Sequence, residues 1–144
     1  MTRDTLDDLG RRCRRWIAVE DLLFETLGRW ARELPEPAIK QVMATWCHRH
    51  AWHAEVWRDR LPTVDALADA SDDVEAWIAP LRAALLDVRT SAEAIAALRE
   101  SVLPALQAAL NEHRDAIDPL LDGTTARVLE LVGADLVAEL SAWS

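Results

Sequence analysis

Residues 37–61 read PAIKQVMATWCHRHAWHAEVWRDRL, and apolar side chains recur there every three or four positions, at Ile39, Val42, Trp46 and Trp57. That period is the buried stripe of an amphipathic α-helix, and Pro37 and Pro62 stand where a helix starts and stops. The same stripe passes through His50 and His53, so two histidines take core positions. Upstream, residues 5–34 repeat the pattern at Leu6, Leu9, Cys13, Trp16, Leu23, Leu27, Trp30 and Leu34, with Glu20 at the one seam position that is not apolar. Thr5 and Asp8 have the spacing of a capping box, and Pro35 ends the segment. The turn at 35–36 is so tight that these two long helices must pair antiparallel.

Downstream lies a loose segment, 62–71, and then a short helix expected from Ser71, with Asp72, Asp73 and Glu75 in its first turn and Pro80 kinking or restarting it. A third long helix opens at Thr90, with Glu93 three residues on. Its seam is Ile95, Leu98, Val102, Leu106, Ala109, His113 and Ile117, and Pro104 is expected to bend it. The fourth runs from about Gly123 to Trp143, with Leu129, Val132, Leu136, Leu140 and Trp143 inward. The turn at 118–122 makes a second hairpin, and the long connection between hairpins allows the second and third long helices to run parallel. The expectation is an all-α, four-helix bundle with a long helical crossover, one domain over residues 1–144.

Composition agrees. The 144 residues are 51% hydrophobic and 28% charged, with four Gly, six Pro and no Tyr, a balance that favours helix over sheet. No apolar run approaches the ~20 residues that span a bilayer, and the N-terminal residues lack a signal-peptide core, so no membrane association and a cytoplasmic location are expected. Sixteen Lys and Arg against 25 Asp and Glu leave a net charge of −9, which repels phosphate backbones and argues against a nucleic-acid partner despite the short run Arg11, Arg12, Arg14, Arg15. Cys13 and Cys47 fall within helical patterns and read as thiols in the packing. A glycine-rich phosphate loop, Gly-x-Ser-x-Gly and Cys-x-x-Cys do not occur in the chain, which sets aside the chemistries they carry.

What chemistry there is lies where polar residues interrupt the seams. Counted from the first turn, Glu20 lies about fifteen residues back and His50 and His53 about as far forward, so at ~1.5 Å per residue all three meet at one level. A carboxylate buried alone takes up a proton, pairs or binds a metal. Histidines at i and i+3 can converge on one ion, and Glu with two His suits iron, manganese or zinc. With the second and third long helices parallel, this level also reaches Asp135, and Gly133 nearby leaves room for a close approach. The same residues are equally a metal-free cluster in which the carboxylate hydrogen-bonds an imidazolium.

The stretches WIAVEDLLFETLGRW, WCHRHAWHAEVWRDRLP and LPALQAALNEHRDAIDPLLDGTTARVLELVGADLVAELSAW resemble the ferritin-like superfamily over nearly the whole chain. The resemblance implies a four-helix bundle with a carboxylate-bridged di-iron or di-manganese site, built from one Glu on each of two helices and Glu-x-x-His on each of the others. On that pattern Glu20 matches the first helix's carboxylate and His53 the second helix's histidine, while His50 stands where a glutamate would be. The fourth helix offers Asp135 and Glu139 but no histidine, and Glu100 and Glu112 lie off the third helix's seam. What remains is a mononuclear Glu20, His50, His53 site, completed by Asp135.

Two functions follow as expectations. One is a metal-binding protein or non-haem iron or manganese oxidoreductase, its site walled by Trp46 and Trp57 and reached by oxygen or a small organic molecule between helices. The other is a metal-free bundle acting as a binding or scaffold module. Trp52 and Trp77 fall off the seams, which points to a homodimer contact or ligand groove, or else to burial under the crossover. His113 reads as a seam residue capping its helix, and His48 as solvated.

Overall fold

The computed structural model describes residues 5–61 and 73–143, and all the regular structure among them is helical. Helix α1 (Leu6–Glu33) is fixed at its start by the expected capping box: the Asp8 amide donates to the Thr5 hydroxyl, and the Thr5 amide to the Asp8 carboxylate. Pro35 and Glu36 turn the chain into α2 (Pro37–Arg60), which begins on its proline. These two helices lie close enough that a Cβ on Gly28 would sit 3.3 Å from Cys47 Sγ. The Cys47 thiol itself donates to the Phe24 carbonyl.

The loose segment 62–71 and the helix start at Ser71 and Asp72 lie outside the described residues. Helix α3 (Val74–Leu86) has Asp73 at its N-cap and runs through Pro80 without restarting. Pro80 and Ala76, whose carbonyl the missing N–H would have bonded, are both exposed, so water can take that bond. Asp73 pairs with Arg15 at one end of α3, and Leu85 and Leu86 share a cavity with Arg29 and Arg32 at the other, so α3 runs parallel to α1.

The third long helix is α4 (Ser91–Ala96), a π-helical turn (Ala97–Val102) and α5 (Leu103–Ala116) in succession. The Thr90–Glu93 capping box forms as expected. The disturbance from Pro104 appears as the π turn directly ahead of it, where the Leu103 N–H bonds the Leu98 carbonyl five residues back. This wider turn absorbs the bond that Pro104 cannot donate. Its extra residue also shifts the seam, so that Ala94, Leu103 and Leu110 are buried while Ile95 and Ala109 are only partly covered. Helix α6 (Gly123–Ser141) starts from Asp122, whose carboxylate accepts from the Thr125 amide.

The Ser91 hydroxyl meets the Glu36 carboxylate where α4 and α2 start, and His113 stacks on Trp57 near where α5 and α2 end, so the third long helix runs parallel to α2. Opposite order marks α6: Arg60 pairs with Asp122, His53 with Asp135 and His50 with Glu139, so α6 is antiparallel to α2. One core joins the helices through Leu9, Trp16, Leu23, Leu27, Trp30, Trp57, Ile78, Leu85, Leu98, Leu106, Leu129 and Leu136. Each such Leu contributes roughly 2 kcal/mol by leaving water. Leu6, read as a seam residue, is 63% exposed because the seam there passes the end of the bundle. Among the described residues, no helix is long and apolar enough to cross a membrane.

Candidate metal centre

Glu20 occupies the seam of α1 one turn beyond Trp16 and is completely buried, as are His50 and His53 on the facing stripe of α2. Equal distances along the chain from the turn at Pro35 bring the three to one level. Each presents a ligand-type atom within 4.8 Å of the other two, and they are such a trio among the described residues. His50 Nδ1 lies 2.5 Å from Glu20 Oε2, and His53 Nδ1 lies 3.4 Å from Glu20 Oε1.

The outer nitrogens of both rings are held from α6. His50 Nε2 is 3.1 Å from Glu139 Oε2, and His53 Nε2 is 2.7 Å from Asp135 Oδ2. Histidines three apart on α2 therefore meet carboxylates four apart on α6, one helical turn matching one turn in the opposite direction. The guanidinium of Arg49 closes the outside, with Nη1 donating to Glu139 Oε1 at 3.2 Å and Nε 3.9 Å from Asp135 Oδ1.

The sequence brings Glu20, His50, His53 and Asp135 to one place, with Asp135 on the nitrogen of His53 that faces away from Glu20. Glu139 takes part more deeply than its sequence position indicates: it is fully buried, whereas Leu140 and Trp143, read as inward, are half-buried. Arg49, one residue off the seam in an arginine-containing helix, carries no sequence signal of its role.

Burial alone would lower the pKa of His50, but the Glu20 carboxylate and hydrogen bonds to Glu139 and Glu20 outweigh it and raise it to about 10. Burial likewise pushes Glu20 up, and the two imidazoles overcome that and hold its carboxyl below the usual range. His50 is thus an imidazolium between two carboxylates. Glu20 Oε1 and His53 Nδ1, by contrast, are buried without any hydrogen-bond partner. As with Trp30 Nε1, Trp57 Nε1 and His113 Nε2 elsewhere in the core, an ion, a water or another group could partner Glu20 Oε1 and His53 Nδ1. Their 3.4 Å separation equals about the edge of a tetrahedral site with ~2.1 Å bonds to nitrogen and oxygen. Glu20, His50 and His53 are thus close enough to hold a metal ion, provided that the 2.5 Å contact between Glu20 and His50 opens to admit it.

Below this level the core is aromatic. Trp16 stacks on Trp57 with centroids 5.6 Å apart, and its Nε1–H donates to His113 Nδ1 at 3.0 Å. Burial pushes His113 down to about 4, so it is neutral and accepts a hydrogen bond in the core, which replaces the expected cationic cap on its helix. Trp77 is half-buried, edge-on to Trp16 and under the Arg15 guanidinium, while Trp52 is 47% exposed and His48 is exposed. Gly133 makes room for the Arg114 guanidinium, which a Cβ would approach to 3.2 Å. Burial raises the Cys13 thiol to about 12 and leaves it unreactive. Compared with protein-family models, curated proteins and solved structures, this chain matches none.

Proposed function

We propose that this chain is a metal-binding helical bundle of the ferritin-like kind, with a mononuclear centre in which Glu20, His50 and His53 hold iron, manganese or zinc. The observation that carries the reading is the fully buried trio of Glu20, His50 and His53, with one ligand atom of each within 4.8 Å of the others and both rings anchored from outside by carboxylates. Metal-bound histidines characteristically give their other nitrogen to a carboxylate, which fixes the ring and raises its basicity. Asp135 and Glu139 stand in that position. Charge agrees as well: Glu20, Asp135 and Glu139 against Arg49 and a divalent ion sum to zero when both imidazoles are neutral.

Loading the site requires the His50 proton to leave, so affinity rises with pH. Bound there, iron or manganese would supply one-electron redox chemistry and zinc a fixed positive charge. The chain's own residues orient the rings and exclude water. With side-chain exposures of 0–1% at Glu20, His50 and His53, a reactant at this centre is as small as water or dioxygen. The short Glu20–His50 contact favours a second reading, a permanently metal-free ion-pair network in a scaffold or binding module, with the exposed Trp52 offering a contact to a second copy.

Elemental analysis separates the two. After growth with iron, manganese and zinc supplied, wild type is expected to carry near-stoichiometric metal and His53→Ala to have lost it while remaining helical by circular dichroism. Folded wild type without metal would overturn the proposal in favour of the ion-pair network.

A further inference from the structure

We propose that Arg49 is a cationic latch over the entrance to the buried centre, and that an incoming metal ion reaches Glu20 by displacing Arg49 from Asp135. This rests on the metal-binding reading above. The side chains of Glu20, His50, His53 and Glu139 are 0–1% exposed, whereas those of Asp135 and Arg49 are 32% and 28% exposed. Of these six side chains, Asp135 and Arg49 are the two that reach water, and they lie side by side on α6 and α2.

The Glu139 and Asp135 carboxylates are both shared. Glu139 turns Oε1 out to Arg49 and Oε2 in to His50, while Asp135 turns Oδ1 towards Arg49 and Oδ2 to His53. A cation arriving from water first meets Asp135, the one carboxylate of the three with exposed surface, and the next polar groups inward are His53 and then Glu20. Arg49, hydrogen-bonded to Glu139, already stands 3.9 Å from that carboxylate with a charge of the same sign as the ion. A guanidinium does not lose its proton in a protein, so it can clear the way only by swinging outward. Its outer surface is in water and its stem is flexible, so this motion breaks side-chain contacts alone. Release of the ion meets the same obstacle in reverse. Arg49 therefore sets the rate of exchange in both directions and has less effect on the affinity, which depends on the inner trio.

The test is kinetic, with cobalt(II) as the entering ion, followed by its visible absorption in a stopped-flow instrument, and zinc(II) as the leaving ion, followed by transfer to a chromogenic chelator. Arg49→Gln is expected to load and release at least ten-fold faster than wild type, and Arg49→Lys, which keeps the charge and loses the fork, by a few-fold. Asp135→Asn is expected to slow loading, and Arg127→Gln, an exposed arginine elsewhere on α6, to change neither rate. Thermal melts establish that each variant is folded, and Arg49→Lys stands in should the glutamine variant be unfolded. Unchanged rates in folded Arg49 variants of a protein that binds cobalt stoichiometrically would overturn the latch and leave the metal centre standing. Wild type that binds neither ion would overturn the metal centre itself, and the latch with it.

Discussion

At the scale of single residues, the same burial drives two histidines in opposite directions. His50 lies between the carboxylates of Glu20 and Glu139 and is held protonated to about pH 10, while His113 accepts one hydrogen bond among tryptophans and stays neutral to about pH 4. Stability follows from proton linkage. The contribution of His50 is complete below its unfolded value near 6.5 and is lost as the pH rises through 10, because the folded state binds the extra proton. His113 does the reverse: the unfolded chain binds the extra proton between 6.5 and 4, so its contribution is complete above 6.5 and is lost as the pH drops through 4. Glu20, lowered in the folded protein, also loses its contribution as acid protonates it. Metal-free protein is therefore expected to be most stable near pH 6.5, as measured by urea denaturation from pH 4 to 10, with limiting slopes of about 1.4 kcal/mol per pH unit per proton. His113→Gln should flatten the acid limb alone; an unchanged acid limb would mean that His113 is not the group being titrated. Glu20, His50 and His53 were legible in the sequence because each breaks an apolar seam. Arg49 was not, since its role depends on which helix lies beside α2, and Glu139 reads as an ordinary helical glutamate until Asp135, one turn earlier, is paired with the histidines across from it.

At the scale of elements, the helix ends were legible because they are determined by local chemistry: two capping boxes, at Thr5 and Thr90, and prolines at 35 and 37. Those boxes carry measurable energy. Thr90→Ala leaves the Glu93 amide without its acceptor and is expected to cost about 1 kcal/mol in denaturant unfolding, within the ~0.5–2 kcal/mol seen for lost N-caps, with no effect on metal content. A loss of metal in that variant would show that α4 helps to shape the centre. The course of the chain at its internal prolines was not legible, because a proline states only that a bond is missing. Whether the helix accepts the loss at a wet surface, as at Pro80, or widens into a π turn, as before Pro104, depends on what covers that face in the folded molecule.

At the scale of the whole molecule, α3 carries the chain back along α1 and so starts α4 beside the start of α2. Only with that direction does α6 run antiparallel to α2, with Asp135 at the level of His53 and Glu139 at the level of His50. The topology thus assembles three carboxylates, two imidazoles and a guanidinium around one level of an otherwise apolar core, and this is an expensive way to hold helices together. Desolvating charges offsets most of what their attraction gains, so well-packed apolar residues at such positions are commonly neutral or more stable, whereas removing one partner strands the rest. A pair of variants separates these effects. Glu20→Leu alone leaves the His50 imidazolium short of its closest counter-charge and should lose about 3–5 kcal/mol in urea unfolding at pH 7. Replacing Glu20, His50, His53 and Glu139 together by leucine, with Arg49 left to pair with Asp135 at the surface, should recover that loss and match or exceed wild type by up to roughly 4 kcal/mol. Such recovery, in a variant that stays helical and binds no metal, would mean that the bundle does not need its buried charges in order to fold. A quadruple variant that remains as unstable as the single one would instead make the network a structural part of the core, and the metal reading would lose its physical motive.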